Sequence, residues 1–250
     1  MQKICIIIPC YNEALRFDQN SFIEFVKANP SFSFCLVNDG SSDNTEAILS
    51  SLSRSYKDQV GLLNMEKNVG KAEAVRTALL YCVEKDKYDY IGYIDADFSA
   101  PLTEINNIIA FCNGELTHII IAGSRIKRLG AKILRKASRH YLGRIFATLG
   151  SWILQLPIYD SQCGLKLVRT DFIRQIFAER FITKWLFDLE MWFRLRNIVG
   201  LETANARTLE VPLNEWLEKG GSKIRFRHFL RVPIDLVRIH RKYNRRGKKK

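Results

Sequence analysis

The chain has 250 residues, of which 47% are hydrophobic and 26% charged, so it can bury a full core and is not a disordered protein. Its net charge of +13 would be typical of a nucleic-acid-binding protein if it were spread over the whole chain. Residues 219–250, however, contain 13 Lys or Arg and one acid and so carry +12 of that charge. The basic character therefore belongs to the C-terminal segment, and the preceding chain is nearly neutral.

The cysteines and the apolar stretches indicate the cellular compartment of the protein. The six cysteines lie mostly in apolar runs without a Cys-x-x-Cys motif, which predicts reduced core residues of a cytoplasmic protein. The N-terminal apolar run is too short for a signal peptide. The longest uncharged apolar stretch, residues 145–156, is well below the roughly 20 residues that cross a bilayer. Any membrane contact is therefore expected to come from the surface.

The N-terminal part of the chain predicts repeated strand–loop–helix units. Apolar runs predict strands at residues 4–8, 32–37, 60–64 and 90–94, and helical spacing predicts helices at 21–28, 46–52 and 72–83. Polar residues follow each strand. Such units form a parallel sheet with right-handed crossovers, so the four polar loops converge on one edge. We therefore predict an α/β fold with a mostly parallel sheet flanked by helices.

The later chain is less regular. Residues 102–111 and 185–198 predict helices, and residues 118–122 predict a strand. From residue 129 the pattern predicts a long helical stretch whose apolar face either packs on the core or rests on a bilayer interface. No Gly-x-Gly-x-x-Gly motif follows the first strand and no Gly-Lys-Ser/Thr loop occurs. Their absence argues against a dinucleotide oxidoreductase and a P-loop NTPase.

Asp95 and Asp97 directly follow the fourth predicted strand. If the alternation of the strand continued, both carboxylates would lie on one face, where two like charges are costly without a cation between them. Carboxylate oxygens suit a divalent metal ion that also binds a nucleoside diphosphate. The alternative is a pair of capping residues, because Ser99-Ala100-Pro101 is a good helix start. The converging loops favour the metal site.

Seven short motifs occur in order on the predicted loops and helix starts: residues 8–13 (IPCYNE), 37–43 (VNDGSSD), 68–71 (NVGK), 95–97 (DAD), 123–125 (GSR), 160–166 (DSQCGLK) and 185–190 (WLFDLE). In these motifs the chain resembles the inverting family-2 glycosyltransferases of GT-A fold, and within them the dolichyl-phosphate glucosyltransferase and dolichol-phosphate mannose synthase group. The resemblance covers roughly residues 3–225 and implies a Rossmann-like, nucleotide-sugar-binding sheet. Residues 160–164 and 211–216 are more similar to the glucosyltransferase branch, although Leu165 stands where phenylalanine is usual.

The resemblance implies a donor site formed by Pro9, Tyr11, Glu13, Asp39, Lys71, Asp95, Asp160 and Gln162. The first four would meet the base and ribose, and the last two would line the sugar pocket. Lys71 would contact the diphosphate, while Asp95 and Asp97 would hold Mg²⁺ or Mn²⁺ against it. Asp39 has an alternative role as a turn residue, and Lys71 as a solvated lysine.

The resemblance also implies how the acceptor is bound. Arg125 and Arg139 match positions that bind the lipid phosphate in such enzymes; alternatively, both are solvated or snorkelling side chains. A phosphate acceptor is already ionised near neutral pH and needs positioning more than a general base. If the acceptor were instead a sugar hydroxyl, Asp188 would be the natural base. The predicted catalytic residues are therefore Asp97, Arg125, Arg139 and Asp188.

Residues 223–250 form the second part of the predicted organisation, after a GT-A domain at residues 1–222. This basic amphipathic tail, in which Pro233 is expected to break or kink a helix, suits an anionic membrane surface. The alternatives are a disordered solubilising tail and a nucleic-acid arm, which would lack a recognisable binding module. We expect a peripheral protein at the cytosolic face of the membrane. A membrane-protein partner and a homo-oligomer both remain open.

Three functions are compatible with these residues. The first is a metal-dependent, inverting transferase that moves a hexose, in this branch glucose, from a nucleoside-diphosphate sugar to a polyprenyl or dolichyl phosphate. The second is a family-2 glycosyltransferase that elongates a cell-envelope glycan on a sugar hydroxyl. The third is a non-catalytic membrane or nucleic-acid adaptor, against which the intact acids and Arg125 argue. The sequence leaves the choice between UDP and GDP donors open.

Overall fold

The computed structural model of the chain describes residues 2–134, 137–219 and 226–246; the side chains of residues 137–143, 145–146, 226–231 and 245–246 lie outside that description. The strands are β1 (Ile4–Cys10), β2 (Phe32–Asn38), β3 (Val60–Asn64), β4 (Tyr90–Tyr93), β5 (Ile120–Ser124), β6 (Lys132–Leu134), β7 (Lys166–Arg169), β8 (Thr208–Pro212) and β9 (Glu215–Leu217). The helices are α1 (Gln19–Ala28), α2 (Thr45–Ser55), α3 (Lys71–Val83), α4 (Thr103–Phe111), α5 (Ala137–Leu154), α6 (Thr170–Ile176), α7 (Phe187–Val199), α8 (Leu201–Ala206) and α9 (Phe226–Arg246).

The predicted, mostly parallel sheet is confirmed. Within the described residues its strand order is β3-β2-β1-β4-β7-β5-β8, and β6 pairs with β9 in a separate small ribbon. Neighbouring strands of the large sheet are parallel except at β7, which runs antiparallel to β4 and β5. The carboxyl ends of β1, β2, β4 and β5 therefore meet the start of β7 at one edge.

Helices cover both faces of the sheet because strand residues alternate between two cores. In β1, Ile4, Ile6 and Ile8 pack with side chains of α1, α2 and α4, whereas Cys5 and Ile7 pack with side chains of α3, α6 and α7. A strand that is buried on both faces has a continuous apolar sequence. This is why the sequence located the strands that carry the site.

Some predicted elements differ in the structure. The fourth strand ends at Tyr93, so Asp95 and Asp97 lie on the following turn and not in the alternation of a strand. The strand predicted at 118–122 is β5, Ile120–Ser124. The long helix predicted from residue 129 is present as α5, but its predicted start is wrong, because β6 comes first and α5 starts at Ala137. Strand β6 is stabilised by pairing with β9, which lies about 80 residues further along the chain. Local sequence patterns cannot predict a pairing between such distant residues.

Helix α9 continues through Pro233, and the expected break there is wrong. Pro233 itself is exposed, and it lacks the N–H that would bond to the carbonyl four residues earlier in the helix. The helix packs on the domain through the buried residues Val232, Leu236, Ile239 and Tyr243. The Tyr243 ring stacks on Phe193 at 5.8 Å between centroids, and its hydroxyl donates to Glu190 at 3.1 Å. The division of the chain at residues 222 and 223 stays a prediction.

The apolar face predicted on the helix before residue 156 is divided between core and surface. Leu154 and Leu156 are buried, whereas Trp152 is 78% exposed. Among the helices that the structure describes, none combines the length and hydrophobicity needed to cross a bilayer.

Candidate functional site

The loops after β1 and β2 are hydrogen-bonded to each other at the carboxyl edge of the sheet. The Ser42 N–H donates to Asn12 Oδ1 at 2.8 Å, and the Glu13 N–H donates to Thr45 Oγ1 at 2.8 Å. These bonds bring together the four residues predicted to meet the nucleoside, which are Pro9, Tyr11, Glu13 and Asp39. Tyr11 is partly exposed and Glu13 is buried. Their contacts with a nucleoside stay predictions.

Asp39 fastens the loop that precedes α3. One carboxylate oxygen accepts from the Val69 N–H at 2.8 Å, and the other accepts from the Gly70 N–H at 2.9 Å and from Asn68 Nδ2 at 3.0 Å. Burial raises the pKa of Asp39, and the two backbone donors oppose that rise. Asp39 thus joins two loops that are distant in the chain, which differs from the turn role considered as the alternative, and a contact with the ribose stays a prediction.

Gly40 permits this close approach of the two loops. Its φ of +62° lies in the left-handed region, and a Cβ there would be only 2.5 Å from the backbone nitrogen of Asn68. Any other residue would separate the loops and move the start of α3.

Asp95 and Asp97 lie on the turn after β4, and each pairs with a cation. The Asp95 carboxylate accepts a short hydrogen bond from Lys71 Nζ. Asp97 Oδ2 accepts from Arg16 Nη2 at 2.9 Å, and Asp97 Oδ1 accepts from the Ser99 N–H at 3.0 Å. The capping alternative is thus realised only as a turn at Ser99, because α4 begins later, at Thr103.

Lys71 is the first residue of α3 and points across the edge of the sheet. Burial favours its neutral form, but the carboxylates of Asp95, Asp188 and Asp97 outweigh burial and raise the pKa of Lys71. Lys71 therefore remains an ammonium ion at neutral pH. A permanent cation beside paired carboxylates, at the N-terminus of a helix, is suited to an anionic ligand such as a diphosphate.

The two aspartates fit a hard divalent cation that takes its remaining ligands from elsewhere. No group of three or more metal-binding side chains occurs in the part of the chain that the structure describes. The Asp95 and Asp97 side chains are 42% and 21% exposed, so both can be reached by a ligand. Mg²⁺ is commonly held by one or two carboxylates together with substrate phosphates and water. Asp95 and Asp97 would hold such an ion against the diphosphate.

Arg125 and Asp160 form a buried, two-pronged ion pair. Arg125 Nε donates to Asp160 Oδ2 at 2.7 Å, and Arg125 Nη2 donates to Asp160 Oδ1 at 2.8 Å. Burial alone would raise the pKa of Asp160, but the guanidinium outweighs it and lowers that pKa to about 2. Glu210 of β8 accepts from the Asp160 N–H at 2.7 Å and so fixes the backbone at Asp160.

The loop from residue 160 to residue 165 contacts the turn that carries Asp95 and Asp97. A Cβ on Gly164 would lie 2.1 Å from Asp95 Oδ2, so any other residue there would force that carboxylate to move. On the same loop, Gln162 Nε2 is buried and has no hydrogen-bond partner among the described residues. An unsatisfied buried donor is costly, and a sugar hydroxyl is a chemically suitable acceptor for it.

Asp188 is buried in a network of its own. Its Oδ1 accepts from Lys166 Nζ at 2.7 Å and from the Tyr93 hydroxyl, and both side chains are completely buried. The nearby Glu190 accepts from the Ile182 and Thr183 backbone N–H groups. This carboxylate therefore fastens the loop that precedes α7.

Some site residues were missed by the sequence, and one predicted residue is not described. Arg16, Glu210 and Lys166 each hold a predicted site residue in place, yet in the sequence they are single charges without a recognisable spacing; only Lys166 falls inside a motif. Arg139 lies on α5, and its side chain is outside the described residues. Its role stays a prediction.

The buried pair of Asp160 and Arg125 predicts a pH-dependent stability. The unfolded Asp160 carboxyl takes up a proton near pH 4 and the folded one only near pH 2, so the stabilisation is complete above about pH 4 and is lost as the pH falls toward 2. We expect Asp160→Asn to lower the free energy of unfolding by about 2–3 kcal/mol near pH 7, and the difference from wild type to shrink below about pH 4. Urea unfolding followed across this pH range measures both values.

The matched control is Asp171→Asn. Asp171 forms an equally two-pronged pair with Arg169, but its side chain is 55% exposed. Because water screens that pair, we expect a change of less than about 1 kcal/mol. Equal effects of the two substitutions would contradict the account of the buried pair.

Comparison with known proteins identifies the family. Residues 5–177 match the model of glycosyl transferase family 2. A dolichyl-phosphate beta-glucosyltransferase of Trichomonas vaginalis is 31% identical over 245 residues, which cover 93% of this chain and 69% of the relative. The human dolichyl-phosphate beta-glucosyltransferase is 25% identical, with 97% of this chain and 76% of the relative covered.

Solved structures agree with the fold. Glucosyl-3-phosphoglycerate synthase from Mycobacterium tuberculosis, in complex with Mn²⁺, uridine diphosphate and glucosyl-3-phosphoglycerate, superposes with a TM-score of 0.68 at 13% identity. The match covers 95% of this chain and 80% of that one. Mannosyl-3-phosphoglycerate synthase from Rubrobacter xylanophilus gives a TM-score of 0.67 at 15% identity and covers 100% of this chain and 76% of that one. Together with the matching family model, the converging strand-end loops identify the chain as a glycosyltransferase that belongs to glycosyl transferase family 2.

Proposed function

We propose that the chain transfers glucose from a nucleoside diphosphate to dolichyl phosphate, or to a closely related polyprenyl phosphate, with inversion at the sugar and with Mg²⁺ or Mn²⁺. The observation that carries the proposal is the pair Asp95 and Asp97 beside Lys71, at the edge where the strand-end loops meet. The curated relatives with the same function in their names support the choice of sugar and acceptor.

In the proposed reaction the protein neutralises the leaving group. The metal ion, when bound, supplies positive charge to the departing nucleoside diphosphate. Lys71 adds a second, fixed cation on the same side, and its raised pKa keeps it charged through the neutral range. Because these charges are held in place before the reaction, little reorganisation is needed when the glycosidic bond breaks.

The acceptor side depends on Arg125. A guanidinium has five N–H donors, and Asp160 occupies two of those of Arg125. The remaining donors are available to orient a phosphate, which needs no base because it is already ionised. Asp160 thus fixes the direction of the arginine, and Gln162 on the same loop is left to bind the sugar.

The alternative with a sugar-hydroxyl acceptor is less well supported. It requires Asp188 to accept a proton, but Oδ1 of this buried carboxylate already accepts two hydrogen bonds, one of them from a lysine. Lys166 and Tyr93 thus occupy the oxygen that a substrate hydroxyl would have to reach. The non-catalytic alternative has no remaining support once the family is known.

We expect Asp97→Asn to reduce glucosyl transfer at saturating Mn²⁺ by about 100-fold or more, because a carboxylate ligand becomes a neutral amide next to the leaving group. Labelled glucose in the lipid fraction measures the rate. Asp171→Asn, a surface substitution, serves as the control and should leave the rate unchanged. Wild-type activity of Asp97→Asn would contradict the metal role.

We further propose that α9 binds an anionic lipid surface. Once its buried residues face the domain, Ile234, Val237, Arg238 and Arg241 remain exposed. The exposed Trp152 of α5 lines a shallow cavity together with His240 of α9, so both helices contribute to one surface. Apolar and basic residues with a tryptophan at the rim suit the headgroup region of a membrane.

Arg238→Glu combined with Arg241→Glu should weaken binding to vesicles of phosphatidylcholine and phosphatidylserine by about 30-fold or more, because each lost arginine costs roughly 1 kcal/mol and each glutamate adds repulsion. Sedimentation with vesicles measures this, and added salt should weaken the wild type similarly. Lys57→Glu with Lys87→Glu is a control with the same charge change at exposed loops before β3 and β4. Equal binding by both variants would rule out α9 as the lipid contact.

A further inference from the structure

Lys166 is completely buried and lies at the start of β7. Its ammonium group donates to Asp188 Oδ1 at 2.7 Å and to the Cys163 carbonyl oxygen. Lysine is almost never fully buried without a partner, and a buried ion pair is often no more stable than apolar residues of similar volume. The contribution of this pair to stability therefore does not explain why it lies in the core. A better explanation is that it fixes the position of neighbouring groups.

The bond from Lys166 to Cys163 holds a peptide group that touches the metal site. The next residue is Gly164, whose backbone lies so close to Asp95 that a Cβ would be 2.1 Å from Oδ2. On its other side, Asp95 pairs with Lys71. The Asp95 carboxylate is thus confined between the Gly164 backbone and an ammonium group, and any shift of the peptide at Cys163 alters the space available to it.

Tyr93 completes the arrangement from β4. Its hydroxyl donates to the same Asp188 oxygen, and its ring lies 5.6 Å from Lys166 Nζ. Tyr93 precedes Asp95 by two residues on the chain, so Asp188 links the strand that leads to Asp95 with the loop that limits it. Three elements, β4, β7 and α7, therefore meet at one carboxylate.

We propose that Lys166, Asp188 and Tyr93 form a positioning network that fixes the Asp95 carboxylate for the metal ion and diphosphate of the donor. Nothing in the network needs to touch the substrate, so these are positioning residues that act through Cys163, Gly164 and Asp95. The inference rests on the donor half of the proposed function and is independent of which acceptor receives the sugar. Residues that orient a metal ligand commonly change metal affinity when they are replaced.

Strand β4 offers a matched pair of variants. Tyr93 and Tyr90 are both completely buried, and each hydroxyl donates one hydrogen bond: Tyr93 to Asp188 at the site, and Tyr90 to the His118 carbonyl at the far end of the strand. We expect both Tyr93→Phe and Tyr90→Phe to lower thermal stability, Tyr93→Phe somewhat more, because its hydroxyl donates to a carboxylate and that of Tyr90 to a neutral carbonyl. Only Tyr93→Phe should weaken binding of Mn²⁺ in the presence of UDP, by about 10-fold, measured by calorimetry or electron paramagnetic resonance.

A second variant tests the ion pair itself. Lys166→Met combined with Asp188→Leu removes both charges together, since removal of one alone would leave the other buried and unpaired. We expect this variant to bind Mn²⁺ with UDP about 10-fold more weakly or worse, and to exchange the backbone amide hydrogens of residues 161–165 faster than wild type. Hydrogen–deuterium exchange measures the second effect without any ligand.

The outcomes separate this inference from the proposed function. Equal Mn²⁺ affinities of Tyr93→Phe and Tyr90→Phe, or wild-type affinity and exchange in the double variant, would overturn the positioning network. If wild type binds Mn²⁺ with neither UDP nor GDP, the donor assignment fails, and unchanged exchange at residues 161–165 in the double variant would still overturn the network. If the network behaves as expected but no lipid is glucosylated, only the acceptor assignment fails.

Discussion

The charge of Asp95 is the constraint on which the rest of the site depends. Its carboxylate lies at the carboxyl edge of the sheet, pairs with Lys71 on one side and touches the backbone of Gly164 on the other. A second carboxylate, Asp97, follows on the same turn and pairs with Arg16. Paired acids are costly unless cations neutralise them, and here the cations come from the loop after β1 and from the first residue of α3, at the end of the loop after β3. Bringing these loops together is what the parallel sheet achieves.

Several buried polar contacts serve that arrangement. Asp39 fastens the start of α3 through the backbone at Val69 and Gly70, and Glu210 and Arg125 fasten Asp160. Each contact satisfies a backbone or side-chain group that would otherwise be buried without a partner. The cost of burying these charges is therefore offset locally, and the positions of the side chains at the proposed donor site are fixed without a ligand. Such preorganisation is the main way in which a protein lowers the barrier to departure of a charged leaving group.

The sequence was sufficient to predict the fold class and the edge that carries the site, because strands buried on both faces are continuous apolar runs and the polar motifs follow them. The sequence was insufficient to predict features that depend on contacts between residues far apart in the chain. Strand β6 depends on its pairing with β9, and the continuity of α9 through Pro233 accompanies packing of Tyr243 on α7. Lys166 and Asp188 are single charges next to apolar residues, and nothing in their local sequence reveals that they meet in the core. Arg125 and Asp160 were predicted separately, but their ion pair was not.

The central claim is that the paired aspartates serve transfer of glucose to a lipid phosphate. The most direct test incubates the full chain with labelled UDP-glucose or GDP-glucose, Mg²⁺ or Mn²⁺, and either dolichyl phosphate or a panel of sugar acceptors. The account predicts label in the lipid fraction with one of the two donors, dependent on the metal ion and on the phosphate of the lipid. Label that appears only on a sugar hydroxyl, or transfer to dolichol without its phosphate, would contradict it.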